Sequence, residues 1–561
     1  MGVLRSRHIL HQVAEAATMG DIQILDSNGK PMLPAVSKAS MIAGGTGMSG
    51  STPRDASDRF SQRMGDWQPW LWSSDAEVNT FRDTITARNR DLVRNDGWAN
   101  GAIKRLSDST IGSSFRPISK PDYRALEHYT GNKKFDAVWA AEFGRALDSH
   151  YRAWSEDANN YCDAAMRHTM SQIYGLAFRH KIIDGDALAT MLWMPERLGR
   201  GRARYCTAVQ LVDPDRLSNP QNTYDTHTSR GGVIVSHEGA AVAYQIRRAH
   251  QGDWFNAGDT MVWDRIPRMT PDGRALVVHD FDSDRAGQHR GGYGILTPVL
   301  QKLKMLYTYD NAELDQAIIS AIFGTFIKSP FDPELVQSAL GNDSLGGYQQ
   351  MRGEFHNKKQ IALGGARIPH LFPGEDLQSV KSEHPTSGYA EFQKSVLRAV
   401  AQATGQSEMQ VSGDFASATY SSVRSALEES YKSMLKGRND FGVGFVRPIF
   451  TCFAEESFEV DDLPLPSGAP DFIDMRQAYS ACKFIGPGLG AIDKSKEMQG
   501  AQIAMECGIS TLSEEANAQG REWEEVLDQR KIEIDAFKQR GIPIPSWGME
   551  IETDSVVEKV G

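Results

Sequence analysis

Two acidic pairs, Asp184-Gly185-Asp186 and Asp213-Pro214-Asp215, are the residues whose types and spacing could do chemistry. Paired carboxylates can hold Mg²⁺, and two-metal sites use them for phosphoryl transfer, so a metal-dependent nuclease is one reading. Both pairs, however, stand beside Gly or Pro at strand ends, where Asp is favoured for turn geometry alone. A two-residue match carries little information, and the turn reading is preferred. Other chemistry fails on spacing. The one Gly-Lys dipeptide, Gly29-Lys30, is followed by Pro31 and lacks the preceding glycine, so no phosphate loop of a nucleotide-driven motor is present. There is no His-Glu-x-x-His zinc helix and no Gly-x-Ser-x-Gly elbow. His8 and His11 share an i, i+3 spacing without further ligands. Glycines 287, 291, 292 and 294 precede a helix, as a phosphate cradle would, but not in Gly-x-Gly-x-x-Gly order. They are expected to let backbone pass closely. The residues predict no enzyme, no metal and no cofactor.

Elements must position whatever these residues do, and the composition allows a large core. The 561 residues are 40% apolar and 24% charged, enough for three or four units. Lys and Arg number 61 against 72 Asp and Glu, a net charge of −11 that disfavours a DNA wrapper or a membrane-surface binder. Five widely spaced cysteines with no Cys-x-x-Cys pair argue for a reducing compartment. The longest apolar run, Ala317 to Ile327, falls well short of the roughly 20 residues that span a bilayer, so no membrane span is expected.

Residues 1–66, rich in Gly, Ser and Thr, read as a flexible arm. Thr80 to Leu106 has helical spacing that Gly97 and Gly101 should bend or interrupt. Short runs between 160 and 285, such as Ala187–Trp193 and Ala241–Ile246, look like strands of a mixed α/β domain. The clearest helix follows, with Thr297 as cap and Pro298 in its first turn. Leu300, Leu303, Tyr307, Asp310, Leu314, Ala317 and Ala321 form a heptad-like stripe, and Asp310, Glu313 and Asp315 form an acidic belt. Residues 328–385 are broken by Gly and Pro and read as a small α/β module. A second helix, Tyr389 to Ala403, closes at Gly405, and a third runs from about Ser421 to Lys436. The link 405–420 is long for a helix connector, with Glu408 and Asp414 as its formal charges. Asp493 should cap a helix that stops at Gly508. Thr511 with Glu514 forms a capping box, and Glu522 to Arg540 is a last helix ending at Gly541.

Several blocks resemble the portal proteins of lambda-type tailed bacteriophages, in collinear order. They are Arg88-Asn-Arg-Asp-Leu-Val-Arg94, His279-Asp-Phe281, Arg285-Ala-Gly-Gln-His-Arg-Gly-Gly292 and Leu296-Thr-Pro-Val-Leu300. Tyr309-Asp-Asn-Ala-Glu-Leu314, Leu371-Phe-Pro-Gly-Glu375, Ser412-Gly-Asp-Phe415, Ala418 to Ser425 and Ile492 to Glu497 continue the match. The resemblance runs from about residue 80 to 535. It departs at His289 and Tyr293, where smaller residues are common in the family.

The resemblance implies an α+β portal fold with a mixed α/β wing (67–296), a stem helix (297–327), a small α/β clip (328–385) and a second stem helix (386–404). A tunnel loop (405–420), a long wing helix (421–459) and a helical crown and tail (460–561) complete it. It implies a ring, usually of twelve copies, at one capsid vertex of the virion, assembled in the host bacterial cytoplasm. Double-stranded DNA would pass through without specific contacts during packaging and ejection. The terminase large subunit, head–tail connector proteins and the major capsid protein would be partners. Ser412, Asp414, Phe415, Ser417 and Tyr420 would lie in the tunnel, and Asp310, Glu313 and Asp315 would face the lumen. Leu300, Leu303, Tyr307, Leu314 and Ile318 would pack between subunits. Besides the nuclease, a capsid-shell or tail subunit is an alternative, although shell proteins lack a long helix pair enclosing a small module. A blander reading of the loop has Phe415 and Tyr420 packing under the wing.

Overall fold

The chain divides into two compact units, 1–72 and 73–561. The computed structural model describes residues 66–545 apart from 68, 114, 323–325, 417 and 489–493; between 329 and 387 it describes 350, 354, 360–363, 366–369 and 376–378. The account below concerns the second unit.

Helix α1, Ser74–Asn95, starts at Ser73, whose hydroxyl accepts from the Ala76 N–H. Asp96 ends it and caps α2, Gly97–Thr110, by accepting from the Ala99 N–H at 2.7 Å. The break therefore comes from an Asp cap. Gly101, expected to interrupt the helix, lies within α2. Strand β1, Arg116–Ser119, is followed by α3, Tyr123–Thr130, and α4, Ala137–Ser155, whose Trp139, Phe143, Leu147, Tyr151 and Trp154 make one buried face. Helix α5, Met170–Asp184, closes on Gly185 at φ +92° and leads directly into β2, Asp186–Trp193.

Strand β2 is the centre of a three-stranded antiparallel sheet between β3, Thr207–Val212, and a later strand, Val277–Phe281. A four-stranded antiparallel sheet is inserted between those outer strands: β4, Ser229–Arg230; β5, Val233–Val235; β6, Ala241–Arg247; and β7, Trp263–Pro267. Val277–Phe281 is thus β8. Of the acidic pairs, Asp213-Pro214-Asp215 forms a capped 3₁₀ turn after β3, as its composition suggested.

A 3₁₀ turn at Thr297–Val299 precedes α6, Leu300–Ile322. Thr297 does not cap it; the side chain of Asn89 lies 3.1 Å from its hydroxyl and ties the turn to α1. The helix ends before 327, because β9, Phe326–Lys328, pairs with a strand at 376–378. In the 328–385 module the described residues form β10, Gln360–Leu363, β11, Ala366–Pro369, and β12, Asp376–Gln378.

Helix α7, Tyr389–Thr404, ends on left-handed Gly405 as expected. The link that follows is not all loop. A capping box at Ser407 and Gln410 winds α8, Glu408–Ser412, and shortens the irregular part to 413–419. Helix α9, Tyr420–Phe441, passes through a wider π turn at Gly442–Val446 into α10, Arg447–Val460. Phe441, Phe445, Phe450 and Phe453 are wholly buried and reach the aromatic face of α4 and Phe115. After α11, Arg476–Tyr479, strand β13, Cys482–Ile485, returns to pair with β1.

The last helices are α12, Lys494–Glu506; α13, Leu512–Ala518, with the predicted Thr511–Glu514 box; and α14, Trp523–Arg540, closed by left-handed Gly541. Asp493 lies outside the described residues. Four cysteines are buried and free, and Cys507 is exposed. No helix among the described residues is long and apolar enough to cross a membrane.

Candidate functional site

Three of the segments that carry the sequence resemblance, 88–94, 279–281 and 285–292, meet in one buried joint. Strand β2 begins inside the fold, so Asp186 is fully buried. Its carboxylate faces Arg290 Nε at 3.0 Å, His279 Nε2 at 3.0 Å and Arg82 Nε at 3.5 Å, and it accepts from the Gly291 N–H at 2.6 Å. Burial alone raises this carboxyl, but the His279 hydrogen bond and the Arg290 and Arg82 charges outweigh it and hold it well below the usual range. Arg90 reaches Asp184 at 2.7 Å, Asp215 at 2.6 Å and Asp213 at 3.1 Å. Asp184 and Asp215 are lowered too, against their burial, by His180 and Arg90 in one case and by Arg82 and Arg90 in the other.

This wiring explains why the acidic pairs are not a nuclease centre. Every carboxylate in them already receives at least one guanidinium. Asp213, Asp215 and His250 do bring ligand atoms within 4.8 Å of one another. A cation there would have to displace Arg90 from two carboxylates. The chemistry of the cluster is structural: it fastens α1 and the 285–294 loop to the sheet.

The glycines of that loop serve close approach. A Cβ on Gly291 would lie 2.0 Å from the Gly185 carbonyl oxygen, and one on Gly294 would lie 2.0 Å from that of Ile183. His289 and Tyr293, where the sequence departs from the family, tie the same loop to α1. His289 Nδ1 lies 2.7 Å from Asp75, and the Tyr293 hydroxyl donates to the Glu77 carbonyl at 3.0 Å. Sequence reasoning missed Arg82, Arg90 and Arg290 as partners of the Asp pairs. Arg90 and Arg290 do lie inside quoted blocks, but nothing in spacing shows that residues 200 positions apart share a carboxylate cluster.

The stripe on α6 divides into two parts. Leu303 is fully buried in the core of its own chain, and Leu300 is partly buried against that core. Leu303 is therefore corrected from a subunit contact to a core residue, because the start of α6 is sandwiched by α1 and α7. Further along, Leu314 is 62% exposed and Ile318 57%, and Tyr307 is also exposed. In the acidic belt, Asp310 accepts a 2.8 Å hydrogen bond from the Tyr389 hydroxyl, so it joins α6 to α7 rather than pointing freely outward. Glu313 is half-buried and Asp315 exposed.

In the 405–420 link, Val411 is buried and Arg105 donates to the Gln410 and Val411 carbonyls, which anchors α8 on α2. Ser412 is half-buried at the end of α8, and Asp414 accepts from the Ala416 N–H in an exposed turn. Phe415 and Tyr420 are 52% and 46% exposed, so neither is packed away beneath its own chain. Tyr420 opens α9, and Ser417 lies outside the described residues.

Residues 60–438 match the family model described as phage portal protein, lambda family. The chain is 30% identical over 498 residues to portal protein B of Escherichia phage lambda, covering 87% of this chain and 90% of that one. It is 29% identical to the portal protein of Escherichia phage N15, over 87% and 91%. Among solved structures, it is similar to a chain from the neck of a native gene transfer agent particle computed with C12 symmetry, at 12% identity and TM-score 0.39, covering 79% and 99%. The chain belongs to the lambda family of phage portal proteins. Its relatives are structural portal proteins and not enzymes, which agrees with the saturated Asp pairs.

Proposed function

We propose that copies of this chain close into a ring, of twelve subunits, at one vertex of a phage capsid. Its channel admits double-stranded DNA during packaging and releases it at ejection. The 328–385 clip receives the terminase large subunit; after packaging, head–tail connector proteins take its place, and the major capsid protein surrounds the wing. The helix pair α6 and α7 forms the stem, and the 405–420 link with Asp414 and Phe415 faces the channel. Assembly takes place in the host bacterial cytoplasm.

The observation that carries this reading is the uncovered far part of α6. Leu314 and Ile318 stand on a helix whose inner face is buried near its start at Leu303 and Leu306, and nothing described in the same chain covers them. An apolar helix face of this kind needs a partner, and a ring supplies one to every subunit. Exposed Phe415 and the small polar groups beside it suit a surface that DNA slides past, because fixed Lys or Arg contacts would grip phosphate in a salt-dependent way.

Negative-stain imaging and native mass spectrometry of the purified chain test the ring. A soluble monomer at every concentration would refute it. For the channel, an Asp414→Lys, Ser417→Lys variant should form normal rings that package DNA poorly with a competent motor. Unchanged packaging at low salt by intact rings would remove the loop from the lumen.

A further inference from the structure

A cavity of about 370 Å³ lies between the end of α1, the start of α2 and the second half of α5. It is a basic spot on a chain whose net charge is −11. Arg90, Arg94 and Arg179 line it, and the carboxylate among its lining residues is Asp184. We infer that this cavity binds a phosphate group, gripped by Arg94 from α1 and Arg179 from α5. The site lies within one subunit, so it stands or falls apart from the ring and from the channel.

Charge accounting singles out those two arginines. Asp184 faces Arg90 Nε at 2.7 Å with one oxygen and His180 Nδ1 at 2.7 Å with the other. Arg90 turns its other nitrogens to Asp213 and Asp215. The acids nearest in sequence to Arg94 are engaged as well. Asp91 accepts from the Asn95 amide at 2.8 Å and lines the groove beside α6, and Asp96 caps α2. Arg94 and Arg179 have no ion pair and no side-chain hydrogen bond among the described residues. Arg94 alone has an ordinary explanation, since it complements the C-terminal end of α1. Arg179 has none. It is half-buried and stands more than a turn before α5 ends, so its charge is partly withdrawn from water with no carboxylate to offset the cost.

Two guanidinium forks entering one cavity from different helices suit a phosphate better than a carboxylate. A carboxylate holds its two oxygens in one plane and is satisfied by one fork. A phosphate presents oxygens in tetrahedral directions and accepts a fork from each side. Asn100 brings a further donor from α2: one amide N–H goes to the Val93 carbonyl at 2.9 Å, and the second is left over. The cavity equals about a dozen waters at ~30 Å³ each, room for a phosphate with a sugar attached. Val93, Ile183 and the exposed Leu176 supply an apolar wall for sugar carbons. The same group comes from two sources, free phosphate or the diester of a nucleic-acid backbone, and the apolar wall favours the diester.

The test titrates orthophosphate into the purified full-length chain by calorimetry, with chloride as the control anion at equal ionic strength. A short fluorescein-labelled DNA duplex is followed in parallel by anisotropy. The expected result is saturable phosphate binding that Arg94→Gln and Arg179→Gln each weaken by about tenfold, the loss of one charge-assisted contact. Both variants should keep the thermal midpoint of the parent in chloride, because neither side chain has a partner to lose. Arg94→Gln, at an exposed position, keeps the test open if Arg179→Gln does not fold. Duplex that orthophosphate displaces, and that both variants release, assigns the site to the backbone diester. Orthophosphate binding without such displacement assigns it to free phosphate. Binding of neither probe, or binding that both variants leave unchanged, would overturn the inference. So would a Glu-rich peptide that binds through Arg94 and Arg179 where orthophosphate does not.

Discussion

Asp186 shows how a residue that looks catalytic becomes structural. Its charge is buried at the head of β2, and its cost is offset only because Arg82, Arg290 and His279 converge on it. Asp186→Asn would leave the buried Arg290 guanidinium without the carboxylate it pairs with, while Arg82 keeps Asp215. We expect it to cost about 3–5 kcal/mol, measured by denaturant unfolding. The sign with pH follows from the lowered carboxyls of Asp184, Asp186 and Asp215. Their contribution is present above the ordinary Asp value of about 4 and is lost as pH falls through their lower folded values. The parent should therefore lose stability below about pH 4, and the Asn variant should lose less there.

At the scale of elements, α6 separates covering by the chain from covering by a partner. Leu303→Ala opens a cavity in the chain's own core and should cost about 2–5 kcal/mol, seen as a lower thermal midpoint of the dissociated subunit. Leu314→Asp changes an exposed position. It should leave that midpoint nearly unchanged and prevent ring formation in native mass spectra, because assembly would bury an unpaired charge. A midpoint loss for Leu314→Asp as large as for Leu303→Ala would mean that the far part of α6 is covered within one chain. The periodic stripe alone could not separate the two residues. Both fall on one face, and only the position of α1 and α7 decides where the cover ends.

Across the whole molecule, the C-terminal helices are fastened to the body by a charged clasp. Glu522 and Glu525 meet Arg116 and Arg152, and Glu524 lies 3.6 Å from Arg145. Beside them the Asp148 carboxyl is pushed up to about 7, first by burial and then by Glu522, although the Ser119 N–H bonded to it acts the other way. A raised acid contributes stability that is full below its ordinary value and is lost as pH rises through the folded one. Raising the pH from about 5 to about 8 should therefore loosen α14, read as faster amide exchange over Trp523–Arg540 after correction for the intrinsic rate. Asp148→Asn should remove that pH dependence, and an equal dependence in the variant would assign it to another group.

Helix positions were legible in the sequence because caps, breakers and periodicity act within a few residues. Gly405 and Gly541 end their helices, and the Thr511–Glu514 box starts one, as local rules require. The collinear blocks were legible for the same reason, and family membership followed from them. Local rules erred where a distant partner intervened. Thr297 was bound by Asn89 instead of capping, and the end of the predicted stem helix was taken up as strand by residues 376–378. The Asp pairs changed meaning most. Their spacing admitted a metal, and only the arrival of Arg82 and Arg90 from α1 and Arg290 from a loop 104 positions beyond Asp186 filled them with charge. Sequence determines what a short segment prefers on its own. Tertiary structure decides which charges share a low-dielectric space, because that depends on chain segments that meet only after folding.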